Sequence, residues 1–137
     1  MPFQLTIVTP QGPVYEGTVD NVVLPGSEGE FGVLQSHERL LAPLRPGEVV
    51  IHTGRGPLYA AIADGFAEVN GEAVVVMVDS CECSGDVDVA RAELARDRAE
   101  QHLAALGVDA AVERRRDYEA ALERARNRLK VAERARK

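Results

Sequence analysis

The hydrophobic period of this chain changes once, near Ser84-Gly85, and that change limits what its 137 residues can fold into. Upstream, short apolar runs alternate with polar residues: Phe3-Gln4-Leu5-Thr6-Ile7-Val8, Val14 to Val19, Val22 to Leu24, Phe31 to Leu34, Glu48 to His52, Leu58 to Ala63, Gly65 to Val69 and Glu72 to Val78. Turn signals separate them at Pro10 to Pro13, Pro46-Gly47, Gly54 to Gly56, Asp64-Gly65 and Asn70-Gly71. Regularly spaced short strands of this kind predict an antiparallel sandwich or barrel. Asn70-Gly71 is the strongest hairpin signal, because a type I′ turn needs positive φ at both central positions.

Downstream the spacing becomes three and four. Ala92, Ala95, Ala99, Leu103 and Leu106 mark one amphipathic helix, and Tyr118, Leu122, Ala125, Leu129 and Ala132 a second. Asp86 suits the first N-cap, with Asp88 then in the first turn, and Asp109 suits the second cap. Gly107 ends the first run as a C′ residue. The expectation is two modules: a β-sandwich over 1–84, and a helical region over 85–137 with helices at about 87–106 and 110–135 forming an antiparallel hairpin. Its seam is rich in alanine, so the helices approach closely while burying little apolar area, and the hairpin should open easily.

Charge follows the same division. Residues 1–83 carry three basic and eleven acidic side chains, 3 − 11 = −8, and residues 84–137 carry thirteen and eleven, 13 − 11 = +2. With 45% hydrophobic and 28% charged residues the composition is that of a globular chain rather than a disordered one. No uncharged apolar run approaches the roughly 18 residues of a membrane span. The start, Met1-Pro2-Phe3-Gln4-Leu5, has no signal-peptide pattern, which predicts a cytosolic chain. Two cysteines exclude a disulfide framework, and pI about 5.1 argues against a nucleic-acid partner.

Little in the sequence suggests catalysis. Cys81 and Cys83, two apart in a strand, share one face, and no second pair completes a zinc site. His37, His52 and His102 are scattered over both modules, so a small metal-dependent β-fold enzyme would rest on His37-Glu38 alone. Neither a nucleophile elbow nor a phosphate loop is present. Gly26-Ser27-Glu28-Gly29-Glu30-Phe31-Gly32 reads either as an ordinary tight turn or as a shaped loop presenting Glu28 and Glu30 to a partner. Asp88, Arg91 and Arg98 share one helix face, and Arg124 and Arg128 share another. Folded antiparallel, these arginines either converge on a polyphosphate or remain solvated. From Arg124 to Lys137 seven basic residues face Glu133 alone, which suits an acidic partner or the helix C-terminus.

These pieces, in this order, resemble the epsilon subunit of bacterial F-type ATP synthases over essentially the whole chain. Thr9-Pro10-Gln11-Gly12, Leu24 through Leu34 and His37 resemble its sandwich, and Asp64-Gly65-Phe66-Ala67-Glu68-Val69 one of its strands. Asp88-Val89-Ala90-Arg91-Ala92, Arg98-Ala99-Glu100 and Ala125-Arg126-Asn127-Arg128-Leu129 resemble its hairpin. The resemblance implies a non-catalytic rotor subunit, peripheral on the cytoplasmic face of the bacterial plasma membrane, that couples the gamma subunit to the c-ring and touches the membrane only through the complex. It places Glu28, Glu30 and His37 on the c-ring and gamma side. An extended hairpin would inhibit ATP hydrolysis, with Arg124, Arg126, Arg128 and Lys130 against the catalytic alpha and beta subunits. No cofactor is required, but some members bind ATP in the folded hairpin; Glu82, Asp88, Arg91, Ala92, Arg98, Arg124 and Arg128 match those positions. Val87 stands where the family has Ile or Leu, and Gln35-Ser36-His37-Glu38-Arg39 where Pro-Gly-His-Ala-Pro is commoner. A rotor adaptor without nucleotide sensing is the rival reading.

Overall fold

A computed structural model describes residues 2–33, 39–107 and 111–135. Ten strands come first: β1 Phe3–Thr9, β2 Gly12–Val19, β3 Asn21–Gly26, β4 Gly29–Val33, β5 Leu40–Leu44, β6 Gly47–Thr53, β7 Gly56–Ile62, β8 Gly65–Val69, β9 Ala73–Val78 and β10 Cys81–Cys83. A 3-10 turn at Ser84–Asp86 leads to helices α1 Val89–Ala105 and α2 Val112–Ala135. The strands are ordered β10-β7-β6-β3-β5-β8-β9-β1-β2, with β4 pairing β3 outside that path. The sheet curls until β2 lies against β6, giving a sandwich that nearly closes. Inside it Leu5, Ile7, Val22, Leu24, Val49, Ala67, Val74 and Val76 are fully buried, each from the inward half of its strand's alternation.

Among the described residues pairing is antiparallel except between β1 and β9, which run parallel with Leu5 opposite Val74 and Ile7 opposite Val76. Sequence alternation reports faces but not partners, so this exception had no local signal. Strand β5 was also unanticipated, because Leu40-Leu41-Ala42-Pro43-Leu44 neither alternates nor favours a strand interior at its proline. It is tolerated because β5 pairs fully with β8 but meets β3 only at Leu44 opposite Gly26. The β8–β9 hairpin forms without the expected type I′ turn, for Gly71 is not among the positive-φ glycines. Instead the Asn70 side-chain oxygen accepts from the backbone N–H of Glu72 at 3.1 Å and of Ala73 at 3.0 Å.

Both helices are shorter than periodicity suggests. The N-cap of α1 is Asp88, whose carboxylate accepts the Arg91 N–H at 3.0 Å; Asp86 belongs to the preceding 3-10 turn. A side chain two residues earlier cannot reach the free N–H groups once the chain at Val87 is extended. At the other end Leu106 closes α1 through a bond to the Leu103 carbonyl, so Gly107 is not needed in a left-handed conformation. The caps expected at Asp109, and the segment holding His37, lie outside the described residues.

The alanine seam forms as its spacing requires, with Ala92 and Ala99 of α1 and Ala125 and Ala132 of α2 buried. His102 stacks on Tyr118 at 4.6 Å between ring centroids toward the linker end of the pair. The hairpin also covers the outer face of β6, β7 and β10. Ala61 points away from the sandwich core, opposite Glu48 and Glu82, yet is 5% exposed because α2 lies over it.

Candidate functional site at the joint between sheet and hairpin

Where β10 turns into α1, the sheet edge, the start of α1 and the middle of α2 enclose a cleft of about 670 Å³, within the range of small-molecule sites. Glu82, Asp86, Asp88, Arg91, Ala92, Leu94, Ala95, Arg98 and Arg128 line it. Each side chain arrives for a local reason. Alternation along β10 turns Cys81 and Cys83 toward the sandwich, with Cys81 packed on the core, and so turns Glu82 outward beneath the hairpin. Asp88 is fixed by its capping bond. Arg91 and Arg98, seven apart on α1, project from the same face, and among the described residues neither guanidinium has a carboxylate within 4 Å.

Arg128 reaches across from α2, its Nε donating to Glu82 Oε1 at 2.6 Å. Both side chains keep about a third of their exposure, 29% and 32%, so solvent screens the pair. Of the seven residues singled out for nucleotide, six line the cleft. Arg124 does not; it is exposed one turn before Arg128. Three carboxylates (Glu82, Asp86, Asp88) face three arginines (Arg91, Arg98, Arg128), so the cleft is formally neutral rather than strongly cationic. Burial pushes the Cys81 thiol up to about 12, with charge on Cys83 and Glu82 adding to the effect, and raises Cys83 as well. Neither thiol is a ready nucleophile or metal ligand. Among the described residues no group of three His, Cys, Asp or Glu could hold a metal ion.

Of the remaining basic residues of α2, Arg126 and Arg134 are paired within the chain. Arg126 Nη2 lies 3.3 Å from Glu100 Oε1 on α1. Lys130 and Arg126 line a shallow groove with Glu30, Arg45, Glu48 and Glu123. Arg134 donates from Nε and Nη2 to the two Glu48 oxygens at 3.0 and 3.1 Å, and its guanidinium sits 4.8 Å from the Tyr59 ring centroid. The hydrogen bond to Glu48 raises the Arg134 pKa above that of an ordinary arginine.

Two further surfaces lie outside the cleft. Glu28 and Glu30 are exposed at the β3–β4 turn, where Gly29 supplies the positive φ of 133°. That turn is tied down by Ser27 N–H on the Pro43 carbonyl at 3.0 Å and Arg45 N–H on the Pro25 carbonyl at 2.9 Å. The second surface was missed from sequence. Pro43, Phe66, Met77 and Val8 are successive cross-strand partners over β5, β8, β9 and β1, and they line an open apolar groove of about 510 Å³. Phe66 is 51% and Met77 40% exposed. The available signal was Phe66 itself, an aromatic on the outward half of the Gly65 to Val69 alternation.

A curled ten-stranded sandwich and a docked helical hairpin, with a charged cleft where they join, define a two-module β-plus-α chain. Residues 2–84 match the family described as ATP synthase, Delta/Epsilon chain, beta-sandwich domain, and residues 86–133 the ATP synthase, Delta/Epsilon chain, long alpha-helix domain. Curated relatives named ATP synthase epsilon chain include one from Syntrophobacter fumaroxidans, 44% identical over 130 residues, covering 95% of both chains. Another, from Desulforamulus reducens, is 39% identical over 95% of this chain and 96% of that one. A third, from Staphylococcus aureus, is 42% identical over 94% of this chain and 95% of that one.

Among solved structures, a chain of the Euglena gracilis mitochondrial ATP synthase, OSCP/F1/c-ring, shares the fold with TM-score 0.78 at 24% identity, covering 96% of this chain and 81% of that one. A chain of the Tetrahymena thermophila mitochondrial ATP synthase central stalk and c-ring matches with TM-score 0.64 at 13% identity, over 96% and 97%. The chain belongs to the ATP synthase delta/epsilon family, and within it to the epsilon chains, a non-catalytic part of the synthase complex. Among the described residues no helix is long and apolar enough to cross a membrane.

Proposed function

We propose that this subunit couples gamma to the c-ring in the rotating central stalk on the cytoplasmic face of the membrane, and that its hairpin restrains ATP hydrolysis when it leaves the sheet. The apolar strip of Val8, Pro43, Phe66 and Met77 fits a permanent protein contact, for which gamma is the natural occupant. The acidic tip at Glu28 and Glu30 fits a polar contact with the c-ring. Extended, α2 would offer Arg124, Arg126, Arg128 and Lys130 to acidic stretches of the alpha and beta subunits, an attraction weakened by salt.

The observation that carries the regulatory part is the cleft. Residues 82, 88, 91, 98 and 128 come from three segments that meet only while the hairpin is docked. A polyphosphate bound there would bridge Arg91 and Arg98 of α1 to Arg128 of α2, so ATP stabilises the docked form and its depletion releases the hairpin. Binding displaces Glu82 from Arg128, a partly exposed pair worth about 1 kcal/mol, and replaces it with a phosphate contact of similar strength. ATP at ten times its Kd would then shift docking by about 1.4 kcal/mol, enough to act on an equilibrium that lies within a few kcal/mol of balance.

The test is calorimetric titration of ATP, with and without magnesium, into the isolated chain and into Arg91→Ala and Arg98→Ala. One-to-one binding lost in both variants supports the sensor; no binding at millimolar ATP refutes it. The neutral cleft, with Arg128 already paired, favours a second reading, a rotor adaptor that senses no nucleotide. Removing residues 85–137 separates the two: an adaptor's loss of its hairpin leaves hydrolysis by the complex unchanged.

A further inference from the structure

The last turns of α2 hold a contact that the cleft does not use. On one face of the β6–β7 pair, Glu48 lies opposite Ala61 and Tyr59 opposite Val50, so Glu48 and Tyr59 are diagonal neighbours beneath the helix. Asn127, Val131 and Arg134, at i, i+4 and i+7, form the stripe of α2 that meets them. The Asn127 amide donates to the Gly47 carbonyl at 2.8 Å and approaches that of Ile62 at 3.5 Å, while Val131 is wholly buried. Arg134 grips both Glu48 oxygens and covers Tyr59, leaving the Glu48 side chain only 9% exposed.

A two-pronged guanidinium–carboxylate contact restricts geometry more than a single bond, and its partial burial limits screening by salt. Its place in the last helical turn also suits the negative end of the helix dipole. Arg134 lies six residues beyond Arg128, about 9 Å along the helix, outside the cleft.

We propose that Glu48, Tyr59 and Arg134 form a latch that holds the hairpin on the sheet in the absence of any ligand, with Asn127 fixing its register. The hairpin thus has two holds, one at the cleft that a ligand can alter and one at the latch that sets the resting docked population. Release requires Arg134 to exchange Glu48 for water or for a carboxylate elsewhere. The inference rests on the proposed undocking of the hairpin but not on nucleotide binding.

Backbone amide exchange on the full chain tests it, comparing residues 124–135 of α2 with strands β8 and β9 as internal reference. Glu48→Gln and Arg134→Gln each speed α2 exchange roughly threefold to tenfold while β8 and β9 are unmoved, and the double variant is no faster than either single one. Unchanged α2 exchange in both single variants, or additive effects in the double, overturns the latch. Saturating ATP is the second arm. If ATP leaves α2 exchange unaltered while Glu48→Gln speeds it, the latch stands and the nucleotide reading falls. If ATP slows exchange and neither substitution matters, the reverse holds.

Discussion

Shortening Val131 to alanine separates the hairpin's docking from the sheet's own stability. Val131 is 0% exposed on the stripe of α2 that carries Asn127 and Arg134, both bonded to β6. The substitution removes two methyl groups, about 1.6 kcal/mol of burial at roughly 0.8 kcal/mol each. Alanine returns roughly 0.5 kcal/mol through its better helix propensity. A junction between two modules can also settle around the loss, so little residual cavity is added. The net is about 1 kcal/mol against docking, a roughly fivefold increase in the undocked population. Amide exchange should therefore quicken about fivefold over residues 124–135, with the protected amides of β8 and β9 unchanged. Equal acceleration in the sheet would refute the reasoning, because hairpin and sandwich would then open as one cooperative unit. No acceleration anywhere would show that Val131 makes no contact that docking depends on.

Two further outcomes follow from the sheet. A Cβ at Gly65 would stand 2.0 Å from the Met77 carbonyl oxygen and 2.7 Å from Val78 Cγ1, with backbone that cannot yield; Gly65→Ala should destabilise the sandwich by about 2–4 kcal/mol, read as a lowered midpoint in urea. The Cys81 thiol, raised from 9.0 to about 12 chiefly by burial, stays protonated in the folded chain while an unfolded cysteine ionises. Its contribution is complete below pH 9 and is lost as pH climbs toward 12, so Cys81→Ala should flatten the alkaline fall in stability by about 1 kcal/mol at pH 10.

Much of this architecture is local in origin and could be read locally. The change of period at Ser84-Gly85 separates strands from helices because side chains alternate along a strand and recur every three or four residues along a helix. The alanine seam was legible for the same reason, and so was the shared face of Cys81 and Cys83 that turns Glu82 outward. Strand β5 was not, since a Leu-Leu-Ala-Pro-Leu run becomes a strand only where β8 supplies a partner. At Asn70-Gly71 the hairpin was legible but not its turn, because the asparagine side chain bonded the loop and removed the need for positive φ.

The sites divide in the same way. Arg91 and Arg98 share a face by spacing alone, as Glu28 and Glu30 share a turn. That Arg128 meets Glu82, that Arg134 meets Glu48 and Tyr59, and that Arg124 stays outside the cleft depend on how α2 lies across β6, β7 and β10. By itself the sequence determined which element each side chain occupies and which side of it the side chain takes, since backbone periodicity is a property of a few consecutive residues. Which elements face one another was decided only by tertiary structure. Contacts 46 and 86 residues apart, such as Glu82 with Arg128 and Glu48 with Arg134, exist only where α2 lies on the sheet, with Ala61 and Val131 buried.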